Sequence, residues 1–243
     1  MNSREVILRE MGLTPIWVKS ASVFEAPIAE LPAPVVIASE RLAFEPEQSA
    51  TEREAAIANL SWDELIESIA TCSACKLFKT RTHTVPGVGD RSPSWMVIGE
   101  APGENEDKQG EPFVGKAGHL LDAMLAAVGK KRKDGVYIAN VIKCRPPGNR
   151  NPEPDEIAAC RPYLNRQIAL ARPQLLLAAG KFAAQTLLNC DETVAAMRAL
   201  PAADSQRNGV PIVVTYHPSY LLRSPLEKAK VWDDLMKARA LVA

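Results

Sequence analysis

The sequence predicts an α/β protein, a three-layer α/β/α sandwich built around a central four-stranded parallel sheet. Four short and almost wholly apolar runs alternate along the chain with segments of helical period. Such runs are typical of strands that are buried on both faces of a parallel sheet. Alternation of strand and helix places the helices on the two faces of that sheet. The predicted strands are Trp95–Ile98, Val136–Ile142, Gln174–Ala179 and Pro211–Tyr216.

Each predicted strand is followed by a segment whose composition favours a helix. The first segment places Leu121, Met124, Leu125 and Val128 on one side, at helical spacing. The second segment begins with Pro154 and acidic residues, which are common in the first turn of a helix. The predicted helices are Gly115–Val128, Glu153–Leu170, Gly180–Leu188 and Pro225–Val242.

Residues 1–56 differ from the rest of the chain. They carry nine acidic and five basic residues, are rich in proline, and lack a continuous apolar period, so we predict an extension that is mostly flexible linker. A short helix is expected at Glu5–Met11. Residues 57–243 carry 24 basic and 20 acidic residues and form the predicted main domain. That mild basic excess permits a polyanionic partner without requiring one.

Length and composition exclude several classes of protein. The chain has 243 residues, of which 47% are hydrophobic and 24% charged, as in ordinary globular proteins. No apolar stretch approaches the roughly 20 residues that a membrane helix requires. The first residues show no basic and then apolar signal pattern, because Glu5, Arg9 and Glu10 interrupt them. We therefore expect a cytoplasmic protein without a membrane partner.

The unusual residues of the chain follow the predicted strands. They form the loops Gly99–Gly103, Cys144–Arg150 and His217–Tyr220. In open parallel sheets, ligands bind beyond the carboxyl ends of the strands. The sequence therefore predicts one functional site to which these three loops contribute, with His217 inside it.

Four of the five cysteines fall into a pattern that suggests a metal centre. Cys72 and Cys75 form a C-x-x-C pair, and Cys144 and Cys160 are each followed by Arg-Pro. Four thiolates can hold a zinc ion or an iron–sulfur cluster. The lack of a second close pair favours the cluster over a zinc ribbon. The alternative is four unrelated buried cysteines; Cys190 has no partner by spacing and is interpreted as a core thiol.

One segment of the sequence resembles a P-loop, but the neighbouring residues do not support nucleotide binding. Gly110–Lys116 matches the beginning of the phosphate-binding pattern. The next residue, Ala117, has no hydroxyl group for a magnesium ion, and no predicted strand leads into Gly110. The bulky Phe113 also stands where a phosphate cradle requires small residues. We therefore do not predict nucleotide binding.

Three motifs in order resemble the family 4 uracil-DNA glycosylases, which carry an iron–sulfur cluster. The resemblance spans about residues 60–241 and includes the four spaced cysteines, but it does not reach residues 1–56. The motifs are Gly99–Gly103 with Glu106-Asp107 and Gly110–Gly115, then Asn140–Pro147 with Asn149-Arg150, and finally His217–Arg223.

The resemblance implies removal of uracil from DNA in base excision repair and a structural [4Fe-4S] cluster on Cys72, Cys75, Cys144 and Cys160. A flipped uracil would stack on Phe113 and be read by the amide of Asn140. His217 would stabilise the departing uracil anion. Ser219 and Arg223 would meet DNA phosphates.

One residue in the first motif departs from the wider superfamily. Classical uracil glycosylases place a water-activating aspartate where this turn has Ala101, which lines the substrate pocket but cannot act as a base. Family 4 members share this lack. Glu100, Glu106 or Asn149 must then position the water or support the sugar cation, and the sequence does not rank them.

A second class of function fits the same motifs. A non-catalytic iron–sulfur DNA-binding module would share the fold, the cluster and the basic surface. In either case we expect a monomer, with residues 1–56 available to contact a repair or replication partner.

Overall fold

The computed structural model describes residues 47–201 and 204–242, which form a six-stranded sheet in the order β1-β3-β2-β4-β6-β5. The strands β3, β2, β4 and β6 are parallel, and the short β1 and β5 pair antiparallel at the two edges. The strands are β1 (Val88–Gly89), β2 (Trp95–Gly99), β3 (Val136–Asn140), β4 (Leu175–Ala179), β5 (Gln206–Arg207) and β6 (Val210–Thr215).

The α/β class is confirmed, whereas the predicted number of four strands is wrong for the sheet as a whole. The four predicted strands are its parallel centre. The edge strands were missed because two residues are too few to show an alternating pattern. The strand predicted to reach Ile142 ends at Asn140, although the Val141 N–H just beyond it still donates to the carbonyl of Gly99 at 2.9 Å.

Helices pack on both faces of the sheet. The described helices are α1 (Glu47–Ala58), α2 (Trp62–Thr71), α3 (Glu104–Gln109), α4 (Lys116–Ala127), α5 (Pro154–Ala171), α6 (Lys181–Leu188), α7 (Val194–Arg198), α8 (Pro218–Arg223) and α9 (Lys228–Leu241). Short 3₁₀ turns occupy Lys76–Lys79, Pro147–Asn149 and Pro225–Glu227.

The core has a separate layer on each face, because successive strand residues point to opposite sides. Met96, Ile98 and Leu176 pack with α5, α6 and α7. Val97 and Leu177 pack with α4, α8 and α9. Both faces of the central strands are therefore covered, which explains why their sequences are apolar at every position.

The predicted boundary at residue 57 falls inside α1 and is corrected by the structure. Ile57 is buried in an apolar cluster with Leu65 and Ile69 of α2 and Tyr163 of α5. The guanidinium of Arg53 donates to the carbonyl of Ala159 at 3.0 Å and lies over the Tyr163 ring. Residues 47–56 thus belong to the folded unit. The linker and the helix predicted at Glu5–Met11 lie outside the described residues.

Replacing Ile57 with alanine is expected to lower the free energy of unfolding by about 2–5 kcal/mol, the usual cost of removing a buried isoleucine side chain. Urea denaturation measures this change, with the exposed Glu52→Ala on the same helix as the control. An effect no larger than that of the control would mean that α1 does not contribute to the stability of the folded unit.

Within the described residues, no helix is both long and apolar enough to cross a membrane.

Candidate active site

The first and third predicted loops follow β2 and β6, and Asn140 at the end of β3 lies opposite the start of the first. Gly99 ends β2 and lies opposite Asn140, which ends β3. His217 follows β6 and lies against Gly180, where a Cβ atom would be 2.9 Å from that of His217. The site is therefore built on the ends of neighbouring strands, whose positions are held by the core beneath them.

Asn140 presents a buried amide without a partner for its oxygen. The residue is only 2% exposed, and its Oδ1 accepts no hydrogen bond from the described residues. A buried acceptor left without a donor costs about 1–3 kcal/mol. The fold can therefore gain free energy when a ligand brings an N–H group to this oxygen.

Phe113 supplies an apolar face beside this amide. Its ring lies 5.5 Å from the ring of His217, centroid to centroid, with 29° between the planes. A Cβ atom on Gly99 would come within 2.5 Å of Phe113 Cζ and 2.3 Å of Asn140 Oδ1. Gly99 is thus in direct contact with both side chains. The Arg132 guanidinium holds the loop by donating to the carbonyl oxygen of Phe113 at 2.8 Å.

His217 is held as a neutral imidazole with its free N–H on Nε2. Its Nδ1 accepts the backbone N–H of Ser219 at 3.1 Å and lies 2.7 Å from the Ser219 hydroxyl. An Nδ1 that accepts carries no hydrogen, so the ring proton is on Nε2. Burial, assisted by the positive charge of Arg223, lowers the pKa of His217 to about 4. The ring is therefore an uncharged donor at neutral pH.

Glu106 ties two loops of the site together through its carboxylate. Its Oε2 accepts the backbone N–H of Gly103 at 3.2 Å, and its Oε1 accepts those of Val114 at 3.0 Å and Gly115 at 3.2 Å. These bonds join the turn after β2 to the loop that carries Phe113. They also use much of the accepting capacity of the carboxylate.

Glu100 differs from the other two candidates for the water-positioning role. It is half-buried, and burial raises the pKa of its carboxyl group to about 7. Within the described part of the chain, its side chain makes no hydrogen bond or ion pair. Asn149 is exposed, and its Oδ1 accepts from Arg145 at 2.7 Å. Ala101 packs, partly buried, against the core on the α5 and α6 face.

The two residues predicted to meet phosphates occupy α8. Arg223 is exposed near the C-terminal end of this helix, and its charge acts on His217. Ser219 is half-buried and bonded to the imidazole, so it orients His217 whether or not it also reaches DNA.

The four predicted cysteines line a single cavity of about 20 Å³. Cys72 caps the C-terminal end of α2, Cys75 follows it closely, Cys144 lies after β3, and Cys160 is on α5. None of these cysteines forms a disulfide. The cavity is also lined by Ile69, Ala74, Arg81, Lys143, Ala159 and Tyr163.

Burial disfavours negative charge on three of these thiols, those of Cys75, Cys144 and Cys160. Burial raises the pKa of Cys160 to about 12 and raises that of Cys75 and of Cys144. Arg81 donates to Cys144 Sγ at 3.1 Å. The backbone N–H of Lys143 donates to Cys160 Sγ at 3.3 Å. Bound metal would supply the remaining positive charge.

The arrangement of the four thiols bears on the kind of metal centre that they could hold. In the described residues, no three Cys, His, Asp or Glu side chains are close enough to share one metal ion. A zinc ion would hold its sulfur ligands at about 2.3 Å. The irons of a cluster, by contrast, allow thiolates to bind at separate corners. Four cysteine thiols around one cavity are a donor set that suits an iron–sulfur cluster.

Comparison with known proteins agrees with this geometry. Residues 86–236 match the family model described as the uracil DNA glycosylase superfamily. The chain is 42% identical over 183 residues to the type-4 uracil-DNA glycosylase of Archaeoglobus fulgidus, covering 73% of this chain and 91% of that protein. It is 38% identical to the protein of that name from Sulfurisphaera tokodaii, covering 74% and 84%. It is 40% identical to the type-4 uracil-DNA glycosylase of Thermotoga maritima, covering 72% of this chain and 92% of that protein.

The chain belongs to the type-4 uracil-DNA glycosylases. In this type-4 member, the structure brings Phe113, Asn140 and His217 together, with Glu106 bonded to the adjoining loops. Asn149 is bonded instead to Arg145, on the exposed side of its loop.

Two functional features of this glycosylase were missed in the sequence. Gly99 was predicted only as a turn residue, although it contacts both Phe113 and Asn140. Lys143 has no role assigned from the sequence, although it is 1% exposed and its ammonium donates to the Asn140 carbonyl at 2.7 Å. A single lysine at the end of an apolar run is the signal that could have indicated this role.

Proposed function

We propose that this protein removes uracil from DNA by hydrolysing the N-glycosidic bond, leaving an abasic site, as a monofunctional glycosylase of base excision repair. The observation that carries the proposal is the buried Oδ1 of Asn140, which receives no hydrogen bond from the part of the chain that the structure describes and lies beside Phe113 and the neutral His217. A flipped uracil has the apolar ring face, the N–H group and the carbonyl oxygens that match these three side chains.

Asn140 selects uracil over cytosine. Uracil N3–H donates to Oδ1, and the amide nitrogen donates to uracil O4. Cytosine presents an acceptor and a donor in the opposite order, so both pairs are mismatched in a buried site. Each unpaired group costs about 1–3 kcal/mol, which disfavours binding and excision of cytosine. Phe113 supports either pyrimidine by stacking, so discrimination rests on the amide.

His217 stabilises the leaving group. When the bond between C1′ and N1 breaks, its electron pair stays on uracil and is spread over N1 and O2. The Nε2–H of the neutral imidazole donates to O2, and this bond strengthens as negative charge develops. A neutral donor suits this role, because the lowered pKa keeps the proton arrangement constant around neutral pH. Solvent later protonates the released base.

Glu100 is the residue that we assign to the water and the sugar cation. Its carboxylate, once ionised, accepts a proton from water as the oxygen bonds to C1′, and it stabilises the positive charge of the sugar. Glu106 is engaged by three backbone N–H groups and acts by positioning the loops around the base. Asn149 and Arg223, both exposed, are proposed to contact DNA at the rim, with Ser219 orienting His217.

Cys72, Cys75, Cys144 and Cys160 are proposed to hold a [4Fe-4S] cluster. When bound, the cluster supplies a structural crosslink between elements that are distant in sequence. The cysteines hold the end of α2, the loop after β3 and the middle of α5 around one cavity, and thereby brace the loop that follows Asn140.

A uracil-release assay tests the proposed function directly. Duplex and single-stranded oligonucleotides with one uracil are expected to yield free uracil and an abasic site, without strand cleavage until alkali is added. Cytosine-containing oligonucleotides serve as the control. Tight binding of uracil-containing DNA without release would instead support the non-catalytic iron–sulfur DNA-binding module.

The single-turnover rate is expected to rise with pH through about pH 7 and then level off, because burial raises the pKa of Glu100 to about 7 and the ionised form is the active one. Glu100→Gln should be slow and should lose this rise. The exposed Glu104→Gln is the matched control and should keep the wild-type profile. A Glu100→Gln profile that still rises like that of the wild type would assign the titration to another group.

Anaerobically purified protein is expected to be brown and to contain iron and acid-labile sulfide in equal amounts, as the [4Fe-4S] composition requires. Cys144→Ser should lower the iron content, whereas Cys190→Ser should retain it. Elemental analysis measures both. Stoichiometric zinc without iron would contradict the assignment.

A further inference from the structure

Lys143 is a buried cation whose ammonium group, among residues 47–201 and 204–242, bonds only to neutral oxygens. It is 1% exposed, and its Nζ donates to the carbonyl of Asn140 at 2.7 Å and to Gln167 Oε1 at 2.6 Å. Among the described residues, no carboxylate lies within ion-pair distance of it. Burying a charge is costly unless it is bonded and compensated, so this arrangement calls for an explanation beyond packing.

The thiols of the cysteine cavity are the groups that can compensate the charge. The Lys143 backbone N–H donates to Cys160 Sγ at 3.3 Å, and Cys144 is the next residue in the chain. Thiolates that bind a cluster are anionic. Lys143 therefore contacts the cysteine site through its main chain and Asn140, the base-reading residue, through its side chain.

The bond from Lys143 fixes the peptide group that directly follows the Asn140 side chain. The same peptide group is held on its other side, because the Val141 N–H donates to the Gly99 carbonyl at 2.9 Å. Gln167 completes the frame by donating to the Pro86 carbonyl at 2.7 Å and to the Tyr137 hydroxyl at 3.2 Å. Movement of Lys143 would therefore shift this peptide group and change the direction in which the side-chain amide of Asn140 points.

We propose that Lys143 is a positioning residue that links the loop carrying Cys144 to Asn140 and thereby fixes the orientation of the base-reading amide of Asn140. The inference rests on the proposed function, since it assigns Asn140 to the uracil base. Lys143 does not touch the substrate; it acts by holding the Asn140 backbone in one orientation. Lys143 is itself held by its backbone bond to Cys160 and by its chain neighbour Cys144.

The test uses Lys143→Met, which keeps the apolar stem and removes the ammonium. The expected result is an unchanged iron content and a loss of about 10²-fold in single-turnover rate, the size of effect that small misplacements of binding groups produce. Selective binding of DNA that carries 2′-fluoro-deoxyuridine, a substrate that is bound but resists hydrolysis, should also become weaker. Thr186→Val is the matched control, since it removes a buried hydroxyl group on α6 that bonds to neither Lys143 nor Asn140.

A double-mutant cycle with Asn140→Ala separates positioning from general stability. If Lys143 acts through Asn140, Lys143→Met should cause little further loss of rate or selective binding in the Asn140→Ala background. Additive losses, or equal effects of Lys143→Met and Thr186→Val, would overturn the inference. Lys143→Leu, which also lacks a donor, gives the same reading should the methionine variant fold poorly. If the wild type released no uracil, the proposed function itself would be wrong.

Discussion

Replacing His217 with alanine is expected to lower the single-turnover rate of uracil excision by about 10²–10³-fold, the usual effect of removing one donor that stabilises a developing oxyanion. The imidazole is neutral, and its Nε2–H is left free because Nδ1 accepts from Ser219. The loss should appear in the rate of bond cleavage at saturating enzyme, while the affinity for abasic DNA should change little.

A second substitution at this position distinguishes the leaving-group role from a role in folding. His217 is the N-cap of α8, and its side chain accepts the Ser219 N–H. Asparagine is among the best N-cap residues, so His217→Asn should keep the helix and its stability while losing the donor to O2. His119→Ala, an exposed histidine on α4, is the control. Near wild-type cleavage by His217→Asn would show that the imidazole only shapes the turn.

Asn140→Asp is expected to reduce uracil excision by about 10²-fold, because the amide donor to O4, a contact worth about 1–3 kcal/mol, is replaced by an oxygen that faces the O4 acceptor. An ionised carboxylate cannot donate to O4. When protonated, the carboxyl group can donate to cytosine N3 and accept from its amino group. Some cytosine excision should therefore appear, and it should increase as the pH falls.

The measurement compares single-turnover release of the two bases by the variant over a range of pH. Asn140→Leu is the matched control, because it lacks both polar atoms and should excise neither base well. Uracil kinetics that remain unchanged in Asn140→Asp would remove Asn140 from the base-reading role, and the partnerless buried Oδ1 would then need another explanation.

The parallel centre of the sheet was predictable because burial on both faces produces continuous apolar runs, which are easy to recognise. The edge strands β1 and β5 carry no such signal, since each has only two residues. Helix α1 was missed for a related reason. It is rich in alanine and glutamate, and among its described side chains Ile57 alone is buried, so its sequence resembles a solvated linker.

The meeting of Asn140 and His217 followed from the rule that strand ends converge at one edge of a parallel sheet. The roles of Glu106 and Lys143 did not follow from the sequence, because both act on backbone groups. Three N–H groups surround the Glu106 carboxylate, and a carbonyl receives the Lys143 ammonium. Backbone groups are identical at every position, so only the folded geometry shows which of them a side chain will reach.

Gly99 contacts both the residue that selects the base and the residue that stacks on it, so base selectivity and stacking cannot be varied separately at this position. A Cβ atom there would stand 2.3 Å from Asn140 Oδ1 and 2.5 Å from Phe113 Cζ, so any replacement displaces the hydrogen-bonding and the stacking partner in one step. Libraries that seek a new base preference should therefore keep residue 99 as glycine and randomise positions 113 and 140 together. Mutational routes through position 99 would pass through variants that neither stack nor discriminate, and selection would discard them.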